Sequence, residues 1–361
     1  MSHVCAFLRA AACAETDVAW MADEASTCTR GTFHRRVTQL AFSLRSVFAL
    51  PVGSRVAFLA STTIRFLEAL LASLCNGWIV VLLNTRWGQT EARAALLSVQ
   101  PELLLFDQDA SNVALALVKG TKMRPLLIGE RKEPIQDVPC TEELSVTMDS
   151  AEVELRIAVD GGAVICFTSG STGKPKGVLL SHQALCFQCL YKIALCSYSS
   201  EDTYLHTAPL FHIGGLVSAL AMLRVDARHV LTKKFNSKQA SHLIQHHSIT
   251  AMIVVPAMIT DLASVNTISF PSIKKLLIGG GTPNCQQVRH LRVFYPPMQL
   301  CPGAFYRNAV SECTYLDGLW NDRGELFPDL RGSLHTSSTP TRNSRPRPCH
   351  SWHLHRHRLH Q

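Results

Sequence analysis

Eleven consecutive residues carry most of the chemistry legible in this chain: Phe167 to Gly177, FTSGSTGKPKG. Four hydroxyls (Thr168, Ser169, Ser171, Thr172), three glycines (Gly170, Gly173, Gly177) and two lysines (Lys174, Lys176) fall within them. Glycine opens backbone conformations closed to other residues, so successive N–H groups can point into one concavity. Hydroxyls add donors and Lys174 adds a positive charge, a set that suits a polyphosphate. The P-loop pattern G-x-x-x-x-G-K-[ST] is excluded, because Pro175 stands where the Mg²⁺-binding hydroxyl belongs. Two further stretches bear chemistry. TAPLFHIGGL (207–216) sets His212 beside Gly214 and Gly215, and KLLIGGGTP (275–283) runs an apolar strand into Gly279, Gly280, Gly281, Thr282 and Pro283.

These stretches need elements to hold them. AVICF before the loop and GVLL after it read as strands, so the loop joins two strands and does not cap a helix. Ser181 is placed to cap the helix that follows. From about 31 to 294, helical and strand periods alternate. Helices are expected over 32–50, 62–75, 90–99, 182–195, 238–247 and 283–294. Strands are expected at 55–60, 78–83, 103–106, 163–167, 228–232, 250–255 and 274–278. Such alternation predicts parallel sheets covered by helices, an α/β fold. The less regular region 107–160 is expected to hold the boundary between two α/β halves.

Composition sets the frame. Of 361 residues, 47% are hydrophobic and 17% charged, which describes a globular chain with a sizeable core. The net charge is +8, but Arg331, Arg342, Arg345, Arg347, Arg356 and Arg358 supply six of those charges in a stretch with no acid. The remainder is nearly neutral, so nucleic-acid binding by a basic surface is not expected of the body. Six of the 16 histidines (335, 350, 353, 355, 357, 360) share that stretch, whose Ser/Pro/Arg/His bias predicts disorder. Thirteen scattered cysteines indicate a reducing compartment. The lone Cys-x-x-Cys, Cys186 and Cys189, lies on an expected helix without a second ligand pair, so the two are read as small core hydrophobes and no metal site is assigned. No apolar run is long enough to span a membrane.

Thr168 to Gly177 matches throughout the pattern [ST]-[SG]-G-[ST]-[ST]-G-x-P-K-G, a chance event of roughly one in 10⁸ to 10⁹ per starting point. With PLFHIGG and LLIGGG in the same order, the chain resembles the adenylate-forming superfamily of acyl-CoA synthetases, luciferases and adenylation domains. That resemblance implies its large N-terminal domain, with two helix-flanked, mainly parallel sheets. It implies an ATP-dependent acid–CoA ligase: a carboxylate is adenylated, then transferred to coenzyme A, with Mg²⁺ assisting. It further implies ATP phosphates at Thr168, Ser169, Gly170, Ser171, Thr172, Gly173 and Lys174, and adenine against Gly279, Gly280, Gly281, Thr282 and Pro283. The acyl-substrate pocket falls to His212, Gly214 and Gly215.

PLFHIGGLVSALAML, HVLTKKF and VPAMITDLASVN narrow the resemblance to the plant branch that joins CoA to an aryl dicarboxylic acid on the way to phylloquinone. A chloroplast or peroxisome is implied there, although no targeting signal is visible and the cytosol stays open. The expected organisation is a weakly ordered 1–30, an incomplete adenylation domain over 31–299, and an unrelated tail over 300–361. Residues 294–316, FYPPMQLCPGAFYRNAVSECTYL, lack the family's aromatic-Gly-x-Thr-Glu box. The family's C-terminal domain with its lysine is not found either. No catalytic residue is therefore named, and a truncated, impaired ligase competes with an inactive nucleotide- or acyl-binding remnant.

Overall fold

The computed structural model describes residues 3–10, 19–131, 135, 138–144, 154–158, 160–168, 175–265, 270–280 and 299–301, with backbone alone at 9–10 and 299–301. The chain opens with the turn α1 (Phe7–Ala10), the short pair β1 (Met21–Ala22) and β2 (Thr27–Cys28), and helix α2 (Arg30–Phe48). Then come β3 (Arg55–Leu59), α3 (Ile64–Cys75), β4 (Ile79–Leu82), α4 (Gln89–Val99), β5 (Leu103–Phe106), α5 (Ser111–Val118), β6 (Arg124–Leu127) and α6 (Thr141–Leu144). A hairpin of β7 (Gly162–Thr168) and β8 (Lys176–Ser181) leads into α7 (His182–Cys196), β9 (Thr203–His206), α8 (Ile213–Val225) and β10 (Arg228–Leu231). Last are α9 (Ser237–His246), β11 (Ala251–Val254), α10 (Pro256–Val265), β12 (Lys275–Ile278) and β13 (Gln299–Cys301).

Two sheets result. One runs β6-β5-β3-β4-β7-β8, parallel except for the last pair. The other runs β13-β12-β11-β9-β10-β1-β2, again parallel except for its last pair. The central strands are buried along their length, as VAFL in β3 and LLLF in β5 require, because helices cover both faces.

Caps and faces explain the helices. Thr29, Thr63 and Ser181 each accept a hydrogen bond from the backbone N–H three residues on, starting α2, α3 and α7. In α2 the buried residues Phe33, Val37, Leu40, Ala41, Leu44 and Phe48 recur at helical spacing. Helix α3 is buried all round except at Arg65, since it lies between α2 and the first sheet. Core membership gives the layering. α4 and α5 cover one face of the first sheet, α2, α3, α7 and α8 fill the space between sheets, and α9 and α10 close the second.

The expected elements up to β12 are present, while the helix expected over 283–294 and the tail over 300–361 lie outside the described residues apart from β13. Region 107–160 is not the boundary between halves. α5 and β6 there belong with the first sheet, and the chain, which contributes β1 and β2 to the second sheet at its start, returns to that sheet only after β8. The irregular composition reflects edge elements and connections, not a division. Within the first 30 residues, expected to be weakly ordered, Val4, Cys5 and Leu8 join the core and β1 pairs with β10. The His3 ring shares hydrogen bonds at 3.1 Å with the carbonyls of Leu74 and Arg156.

Candidate active site

Both sheets present the carboxyl ends of their parallel strands to one side, where ligands bind in open α/β folds. A cleft of about 480 Å³ lies there between Asn84, Trp87, Phe167, Thr168, Phe211 and His212. A second, also about 480 Å³, shares Trp87 and Phe211 and reaches Asp107, Asp109, Lys233 and Lys234. An ion pair of 2.8 Å between Lys233 and Asp109 joins the two sheets across it.

The first wall is the β7–β8 hairpin. Thr168 pairs with Lys176 and Phe167 with Gly177, and the Thr168 hydroxyl donates to the Lys176 carbonyl at 3.5 Å. Gly177 is required by packing: a Cβ there would lie 2.9 Å from Ile165 Cγ2 and 3.3 Å from Phe167 Cε1. Phe167 in turn meets the edge of Trp87, with ring centroids 5.4 Å apart. Thr168 thus stands in the cleft wall, while Ser169, Gly170, Ser171, Thr172, Gly173 and Lys174, in the connection between the paired strands, lie outside the described residues.

The second wall is the head of α8. His212 occupies its N-cap position, exposed, with its ring 4.6 Å from that of Phe211. Partial desolvation at the cleft, and then the Arg86 charge, lower its imidazole from the usual histidine range. Gly215 is fixed by backbone contact: a Cβ would fall 2.3 Å from the Pro209 carbonyl oxygen and 2.6 Å from that of Ala208. Gly214 opens instead onto Ile253 Cδ1, 3.4 Å from its would-be Cβ.

The end of β12 approaches the head of α8 through Ile253. Gly279 also faces Ile253 Cδ1, at 3.6 Å from its would-be Cβ, so two glycines from different elements lie against one side chain. Gly280 has φ +73, a left-handed conformation that favours glycine. Gly281, Thr282 and Pro283 lie outside the described residues. The structure therefore sets Thr168 and His212 in one cleft and places Gly214 and Gly279 against the same Ile253 side chain.

Sequence reasoning missed Trp87, Phe211 and Arg86. Trp87 and Arg86 had a signal, since NTRW directly follows the carboxyl end of β4. Cys186 and Cys189 are buried on α7, and burial raises both thiols, Cys189 to about 12. No group of three or more His, Cys, Asp or Glu that could hold a metal occurs among the described residues. None of their helices is long and apolar enough to cross a membrane.

A family profile described as AMP-binding enzyme matches residues 7–303. The chain is 36% identical over 277 residues to the chloroplastic/peroxisomal 2-succinylbenzoate–CoA ligase of Arabidopsis thaliana, covering 73% of this chain and 50% of that one. It spans about half the length of the curated relatives it matches. Among solved structures, the benzoate CoA ligase of Burkholderia xenovorans superposes with a TM-score of 0.73 at 17% identity, covering 83% of this chain and 60% of the other. The o-succinylbenzoate CoA synthetase of Bacillus subtilis, solved with its acyl-adenylate intermediate, gives 0.64 at 23% identity, covering 76% and 54%. At those identities the structural likeness establishes the fold alone.

Proposed function

The chain belongs to the AMP-binding enzyme family, and from that premise we propose that it forms the nucleotide- and acid-binding part of an ATP-dependent acid–CoA ligase acting on 2-succinylbenzoate. One observation carries this reading. The FTSGSTGKPKG segment connects two paired strands whose ends share a cleft with His212.

In the proposed chemistry a substrate carboxylate oxygen attacks the α-phosphorus of ATP, forming the acyl-adenylate and releasing pyrophosphate. The sulfur of coenzyme A then bonds to the acyl carbon as AMP departs with the bonding pair, and the thiol proton passes to solvent. Lys174 and the hydroxyls of the loop hold the β- and γ-phosphates and offset charge gathering on the pyrophosphate. Gly279 and Gly280 let backbone lie flat against adenine, and His212 edges the acid. Mg²⁺ would enter with the nucleotide. The described residues offer no cluster to hold it, and 294–316 carry no aromatic-Gly-x-Thr-Glu box, so no step is routed through a protein-bound metal.

Residues 31–299 are the adenylation portion in this reading, and phylloquinone synthesis in a chloroplast or peroxisome is the proposed setting, after the Arabidopsis relative. The missing box also favours a second reading, a chain that binds nucleotide and acid with little turnover. Calorimetric ATP binding and pyrophosphate exchange, run together, test both. Lys174→Ala should weaken ATP about tenfold or more. Unchanged affinity would remove the loop assignment. Exchange dependent on 2-succinylbenzoate supports the ligase, and ATP binding without exchange supports the second reading.

A further inference from the structure

Lys192 is set apart from the other cations. It lies on α7, on the side turned toward α8, between Cys189 and Cys196. Its ammonium donates to the Ser218 hydroxyl at 2.8 Å and to the Gly214 carbonyl at 3.2 Å. Both partners are neutral. Among the described residues no carboxylate forms an ion pair with it, and the groups acting on its charge are the thiols of Cys196 and Cys189. Burial lowers its pKa to about 8. An enclosed ammonium without an anion is costly to keep, and structural cations are normally paired.

Its position suggests what the missing anion is. Gly214, whose carbonyl it holds, lies two residues beyond His212 and faces Ile253, the side chain that Gly279 also faces. Ser218, one turn on, is fully buried and donates to the same carbonyl at 2.7 Å. His206, buried among the residues of the second sheet, feels the Lys192 charge, and its Nδ1 has no hydrogen-bond partner among the described residues. These polar groups gather around the first turns of α8, whose leading residues His212 and Ile213 line the cleft.

We propose that Lys192 is the specificity residue that receives the second carboxylate of a dicarboxylic aryl acid, while the first is presented to the nucleotide. The assignment rests on the acid–CoA ligase reading above and deepens it. Without an acid bound, the ammonium is held by Gly214 and Ser218; with one bound, it gains a charge-assisted hydrogen bond that a monocarboxylic acid cannot give.

Calorimetry on the full chain, in the presence of ATP, would compare 2-succinylbenzoate with 4-oxo-4-phenylbutanoate, which lacks the ring carboxylate. The native chain should prefer the diacid by about tenfold or more. Lys192→Met should abolish that preference by weakening the diacid alone, and Lys192→Arg should keep most of it. A native chain with no preference overturns the assignment without any variant. So does a preference that survives Lys192→Met, or equal weakening of both acids. If neither acid binds the native chain, the ligase reading falls together with this one; if both bind and Lys192→Met changes nothing, this one alone falls.

Discussion

The two sheets bury different chemistry. The strands β3, β4 and β5 are filled with Val, Ala, Ile, Leu and Phe, and nearly every one of these side chains is enclosed. The second sheet encloses Thr203, Tyr204, His206, His229 and Thr232. His206 and His229 stack almost in parallel, with His206 Nε2 2.9 Å from His229 Nδ1. The first sheet thus offers an apolar support for the hairpin proposed to hold phosphate. The second encloses polar groups near the head of α8, the proposed acid site, where selectivity would need partners that water does not already satisfy.

The contrast can be broken most forcibly at Gly215. Gly215→Val places a side chain against the Pro209 and Ala208 carbonyls, which are backbone and cannot swing away. A loss of more than about 3 kcal/mol, or failure to fold, should appear in urea unfolding. In the first sheet, Phe58→Ala should cost about 3–5 kcal/mol by the same measurement, because a fully buried ring leaves a cavity. A loss under about 1 kcal/mol would show that this sheet is not such a support.

Acid should act through histidines rather than through apolar packing. His206 and His182 are held at about 3 and His34 at about 4, chiefly by burial, so each stays neutral in the fold while the unfolded chain protonates near 6.5. The unfolded state then binds more protons, and stability falls as pH drops from about 6.5 toward 3. The slope is about 1.4 kcal/mol per pH unit for each such histidine. Urea midpoints taken from pH 7 to 4 should decline, and His206→Gln should flatten the decline. A variant as steep as the native chain would show that His206 is not held neutral.

Smaller effects sharpen the site. His212→Ala should weaken acid binding by several-fold, about 1 kcal/mol, before it affects ATP; the reverse order would remove it from the acid site. Treatment with EDTA should leave the melting temperature unchanged, since Cys186 and Cys189 are read as packing residues. A chelator-dependent fall would make them metal ligands.

Much of this was legible beforehand. β3, β5 and α2 follow from apolar runs and helical spacing, and the Thr168–Gly177 motif from its composition alone. The N-terminal residues Val4, Cys5 and Leu8 were not legible, because three apolar side chains in a short segment have no period to betray them. Region 107–160 misled for a related reason: an edge strand and its connections look irregular wherever they sit.

Sequence alone carried the proposed phosphate chemistry, since hydroxyls, glycines and lysines in one short run suit a polyphosphate without reference to any neighbour. It also determined the alternation of helix and strand, which depends on local periodicity. Tertiary structure decided which side chains share a cleft with the ends of the hairpin that carries the motif. Trp87, Thr168 and Phe211 come from separate segments, and their meeting depends on the strand order and on how α7 and α8 fill the space between the sheets. Contacts between residues far apart in sequence leave no pattern in either one alone.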